Sequence, residues 1–80
     1  MNDRAIFERI NELVAEEHEL YERAGKQGLD LSERDRLHEL ALQLDQFWDL
    51  LRQRRARREF GRDPNSARER DPETVERYTQ

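Results

Sequence analysis

Glu17, His18, His38 and a run of arginines from Arg52 to Arg62 are the residues of this 80-residue chain whose chemistry stands out. Glu17 falls on a row of apolar residues where leucine would pack better, so its carboxylate must be paired or be costly to bury. Arg34 or Arg36 is the expected partner, and the expected role is to set register, since one acid cannot divide proton donation and acceptance between two groups. His18 and His38 are each followed by glutamate, a combination that invites a zinc reading. Zinc sites on helices use paired histidines four apart or a His-Glu-x-x-His spacing, and neither is present, so solvated surface histidines are the favoured reading and no metal is assigned. Residues 52–62 hold six arginines against one glutamate. On a helix, Arg52, Arg54, Arg55, Arg57, Arg58 and Arg62 point in most directions and can neutralise phosphates, pair with acidic helices of another protein, or keep a helix end hydrated.

Other chemistry is not written here. A glycine-rich phosphate loop, a nucleophile elbow and a serine, histidine and aspartate arrangement are all missing, and without cysteine there is neither a thiolate nucleophile nor a disulfide. The expectation is a protein that is not an enzyme and carries no cofactor. Residues 1–20 are acidic and periodic rather than basic and then apolar, and no apolar run reaches bilayer length. That pattern predicts a soluble, cytoplasmic protein with no membrane association.

The elements follow from the spacing of the apolar residues. Charged residues make up 42% of the chain and apolar ones 34%, a balance suited to long solvated helices. One heptad row takes Ile6, Ile10, Leu13, Leu20 and Ala24, flanked by Phe7, Val14 and Tyr21. A second takes Leu37, Leu40, Leu44, Phe47 and Leu51, flanked by Ala41 and Trp48. The first predicts a helix over 3–24 that opens at Asn2 and Asp3 and stops before Gly25; 25–31 forms the turn. The second predicts a helix over 32–60 with Ser32 as its N-cap and Asp35 completing the box, halted by Gly61 and Pro64. Residues 1–61 then form an antiparallel, coiled-coil-like hairpin, and 62–80 a weakly structured tail with scope for a short helix over 72–78, opened by Asp71 and Pro72.

Antiparallel packing sets Leu20 near Leu37, Leu13 near Leu44 and Ile6 near Leu51, leaving everything after Leu51 as an overhang in which Arg54 and Arg58 take the seam positions. The apolar face is broader than a two-stranded seam requires, and Leu42 and Leu50 lie off it. A second hairpin would cover these residues, so the preferred assembly is a homodimeric four-helix bundle, against a monomeric hairpin with scattered exposed leucines.

The runs Ile10 to Leu20 and Leu44 to Arg58, together with Gly61-Arg62-Asp63-Pro64 and Tyr78 near the end, resemble a small actinobacterial family catalogued as a domain of unknown function. The resemblance spans nearly the whole chain and implies a bacterial cytoplasmic setting; it brings no activity, cofactor or catalytic residue. The functional expectation is a protein-interaction or scaffold module that self-associates through its apolar faces and meets an unidentified protein partner. The alternative is a nucleic-acid-associated protein working through the arginine-rich end of helix 2.

Overall fold

The computed structural model describes residues 2–69 and consists of two long helices and one short turn of 3-10 helix. Helix α1 spans Asp3–Gln27, helix α2 spans Leu31–Glu59, and the 3-10 turn, η1, spans Pro64–Ser66. The expected all-helical hairpin is what forms.

Each helix start is fixed by a side chain that takes up an orphan backbone donor. Asn2 Oδ1 accepts from the Ala5 N–H at 2.8 Å and opens α1. Helix α2 opens one residue earlier than the serine signal suggests. Asp30 is the N-cap: its carboxylate accepts from the Glu33 N–H at 2.8 Å, and the Glu33 carboxylate accepts from the Asp30 N–H at 3.2 Å. Ser32, expected to be the cap, instead donates its hydroxyl to Asp30 at 2.9 Å. The ionised acid is the stronger acceptor, and Asp30 with Glu33 completes the reciprocal box better than Ser32 with Asp35.

The first helix also runs past Gly25, the expected stop, by two residues. Gly28 is where the chain leaves, at φ 76° and ψ 176°, a conformation nearly closed to residues with a Cβ. Its N–H donates to the Ala24 carbonyl at 3.2 Å. The turn therefore shrinks from seven residues to three, Gly28, Leu29 and Asp30, and Leu29 packs against the core.

The core is a single row of interdigitated aliphatics. Ile6, Ile10, Leu13 and Leu20 from α1 meet Leu40, Leu44 and Leu50 from α2, with Leu37, Phe47 and Leu51 partly buried against them. The register is the expected one, because Asp3 faces Arg54, Phe7 faces Trp48 and Arg23 faces Glu33.

Beyond Leu51 the structure departs from the simple overhang. Helix α1 starts early enough for Asp3 to reach Arg54 and Arg58, so the seam continues one more layer as an ion pair. Helix α2 then ends in a Schellman motif: the Arg62 N–H donates to Arg57 O, the Gly61 N–H donates to Arg58 O, and Gly61 sits at φ 69°. This turns the chain back along α2. Asp63 caps the 3-10 turn by accepting from the Asn65 N–H at 2.9 Å, and Ala67 settles against the core. The returning segment is anchored by Gln53, whose amide donates to Arg68 O at 2.6 Å. Leu50, expected to be wet, is 7% exposed beside this cover. The short helix expected over 72–78 lies outside the described residues.

The molecule measures 50 × 25 × 16 Å. A helix with its side chains is about 10–12 Å across, so this is one layer two helices wide, with two broad faces flanking the seam.

Candidate functional site

The two flanks of the seam carry different chemistry, and heptad spacing explains why. On α1, positions on one side of the core row are Arg9, Glu16 and Arg23; on the other side they are Phe7, Val14 and Tyr21. Helix α2 answers with Arg36, Gln43 and Leu50 on the first side and Ala41 and Trp48 on the second. Antiparallel packing brings like side to like side.

The first flank is closed by charge and by the returning segment. Arg36 donates two hydrogen bonds to Glu16, at 2.5 and 2.9 Å, and Arg23 donates to Glu33 at 2.5 Å. The fork from Arg36 holds the Glu16 carboxyl below its ordinary value, and Glu16 in turn raises Arg36. Nearer the chain ends, Asp49, Leu50 and Gln53 lie under or against residues 64–69, and Gln53 donates to Asp49 Oδ2 at 2.8 Å.

The second flank is open. Phe7 is 46% exposed, Val14 44%, Tyr21 58% and Trp48 43%, and Ala41 between them is exposed too. Phe7 and Trp48 meet edge to face, their ring centroids 6.2 Å apart at 75°. That contact joins the stripes of the two helices into one apolar strip. Each step from Phe7 to Val14 to Tyr21 covers seven residues, about 10.5 Å of helix, so the strip is roughly 20 Å long. Single exposed leucines on a surface need no explanation, but an aligned strip rimmed by polar groups marks an interaction surface. His18 and His38 lie on its margins, both exposed, and His18 sits 3.2 Å from Glu22. No group of three or more histidine and acidic side chains able to hold a metal ion occurs among the described residues.

Glu17 does not take the partner expected for it. Arg36 is committed to Glu16 and Arg34 is exposed, and Glu17 is half-buried with no hydrogen bond or ion pair among the described residues. The seam edge gives its carboxylate enough access to water to avoid complete burial. The acid that does fix register is its neighbour, Glu16, on the flank.

The arginine run is largely consumed within the molecule. Arg54 is 7% exposed; its Nε donates to Asp3 Oδ1 at 2.5 Å and its Nη1 to Asn65 Oδ1 at 3.1 Å and Pro64 O at 3.3 Å. Arg58 donates to Asp3 Oδ2 at 2.7 Å. Arg58 and then Arg54 draw the Asp3 carboxyl below its ordinary value. Arg55 pairs with Glu59 at 3.2 Å, and Arg52 lies 3.9 Å from Asp49. Arg57 and Arg62 line a shallow groove with Gln53, Ala56 and Phe60, and Arg57 Nε is buried without an acceptor among the described residues. What was expected to be a six-arginine basic patch is a structural clamp with a few cations at its edge. Asp3 is the residue that the sequence reading missed as a partner. Its signal was available, because extending the register by one layer past Ile6 and Leu51 sets Asp3 against Arg54.

Fold and site together define a small two-helix hairpin whose distinctive feature is an open apolar flank. The chain belongs to the family described as "Protein of unknown function (DUF2630)", whose model matches residues 2–80. It is 44% identical over 78 residues to an uncharacterized protein of Mycobacterium tuberculosis and to an uncharacterized protein of Mycobacterium bovis, in each case over 96% of this chain and 90% of the relative. No solved structure matches it. No described helix is long and apolar enough to cross a membrane.

Proposed function

We propose that the chain is a non-enzymatic protein-interaction module that self-associates through its open flank as a homodimeric, coiled-coil-like four-helix bundle in the cytoplasm. The carrying observation is the asymmetry of the two flanks. One is sealed by ion pairs and by residues 64–69; the other presents Phe7, Val14, Tyr21 and Trp48, each more than 40% exposed. A single layer of two helices has a small core, and pairing two such layers buries the strip on both. A hetero-protein partner would use the same strip.

Sedimentation equilibrium tests the reading. A species of about twice 9.8 kDa that persists at high salt is expected. Val14→Glu and Trp48→Glu should each give a monomer that keeps its helical circular dichroism, since both positions lie outside the hairpin core. A wild-type monomer at high concentration would defeat self-association.

Nucleic-acid binding is the weaker reading, because Asp3 and Glu59 already engage Arg54, Arg55 and Arg58. Arg57 and Arg62 favour it, since neither has an ion pair among the described residues. Affinity for duplex DNA that falls steeply with salt and disappears in an Arg57→Ala, Arg62→Ala variant would revive it.

A further inference from the structure

We infer that the open flank pairs with a second copy of this chain head to tail, so that the two interhelical loops lie at opposite ends of the four-helix bundle. The inference rests on the self-association proposed above and adds its geometry. Val14 and Ala41 are the small residues at the middle of the strip, with Phe7 and Trp48 seven residues away at one end and Tyr21 and Arg34 seven residues away at the other. Two closed arrangements bring one strip onto another with neighbouring helices antiparallel, and their two-fold axes differ.

If the axis runs along the bundle, both loops lie at the same end and α1 covers the partner's α2. Level residues then meet: Arg4 faces the partner's Arg52, and His18 faces the partner's His38, each twice by symmetry. Like charges placed across a closed interface oppose association.

If the axis crosses the helices at Val14 and Ala41, each helix covers its own copy running the other way. Val14 then meets the partner's Val14 and Ala41 the partner's Ala41, which allows close approach at the centre. Arg34, which has no printed acid near it and is exposed, arrives over the partner's Trp48, where a guanidinium can sit on an indole face. Tyr21 arrives at the partner's Phe7, aromatic against aromatic. His38 comes level with the partner's Asp45, within about one residue rise, and its imidazole N–H can donate to that carboxylate. Every one of these contacts occurs twice, and each replaces a clash of the other arrangement with a complementary pair. Charge complementarity and the placing of the small residues therefore select the head-to-tail dimer.

The chain has no cysteine, so a single introduced thiol reports its own neighbour. Full-length Ala41→Cys and Val14→Cys proteins are first checked for dimerisation by sedimentation under reducing conditions, then oxidised mildly, alone and mixed. The head-to-tail dimer predicts that Ala41→Cys alone gives most of its chains as a covalent homodimer, because the two thiols meet across the axis. The loops-together dimer predicts cross-linking only in the mixture, where Val14 faces the partner's Ala41, and that outcome overturns the inference. A dimer that cross-links in neither case also overturns it, since another surface must then be buried. A monomer under reducing conditions defeats the self-association reading itself and shows that the strip serves a different protein.

Discussion

Arg54 occupies a position that leucine fills elsewhere in the seam, and it is tolerated there because three acceptors surround it. Asp3, Asn65 and the Pro64 carbonyl take its donors, so the guanidinium is buried without being orphaned. Replacing Arg54 with alanine should destabilise the fold by about 2 kcal/mol, at the low end for a broken buried pair because Asp3 keeps some access to water. Lysine should not rescue it, since an ammonium cannot reproduce the planar fork. Urea unfolding of the two variants checks both statements. Asp3 and Glu16 also set the acid limit of the molecule. Their folded-state pKa values lie below the ordinary ones, so the stability they contribute is fully present above about pH 4 and is lost as pH falls through the lowered values. The urea midpoint should therefore drop between roughly pH 4 and pH 2, and an Asp3→Asn, Glu16→Gln protein should start lower and show a flatter decline over that window.

At the scale of the elements, the glycines separate two roles that look alike in the sequence. Gly25 is helical and a Cβ there meets nothing within 4 Å, so Gly25→Ala should stabilise α1 by about 0.5–1 kcal/mol. Gly28 holds φ 76° with an extended ψ, and Gly28→Ala should cost about 1–3 kcal/mol although its Cβ also has room. Thermal unfolding of the pair distinguishes them. Helix existence, the heptad rows and the register were legible because the apolar positions recur every three or four residues over several turns. Which glycine ends α1, and whether Asp30 or Ser32 opens α2, was not, because two candidate signals lie within three residues and only backbone geometry chooses between them. Glu17 was legible as a breach of the core row, but its partner was not, because Glu16 and Glu17 compete for Arg36 and only the flank position places a carboxylate in reach. Glu17→Leu should raise stability by about 1 kcal/mol, as an apolar side chain replaces an unpaired acid on a half-buried site.

For the whole molecule, asymmetry between the flanks matters more than the core. Tertiary contacts made by residues 64–69 could not be read from the periodicity of the helices, since the return depends on Gly61 adopting a left-handed conformation and on Asn65 meeting a residue on the seam. Without that segment both Leu50 and the Asp49 flank would be wet, and the two faces would look similar. With it, one face is left for association. Asn65→Ala should therefore loosen the segment and raise amide exchange near Gln53 and Arg68 while leaving the Phe7 and Trp48 contact intact, a pattern that hydrogen exchange can resolve by residue.

The Asp3 and Arg54 pair also has a consequence for how the hairpin assembles in time. Arg23 and Glu33 are separated by only 10 positions in the chain and Asp3 and Arg54 by 51. Loop closure favours the nearer pair, so the helices zip from the Gly28 turn toward the termini. During synthesis the zipper cannot finish until the arginine run has emerged, and the Pro64 and Asn65 acceptors come later still. The fold is thus fastened by the residues made first and those made among the last, so a nascent chain truncated before Arg54 carries a formed turn and an unlatched pair of ends.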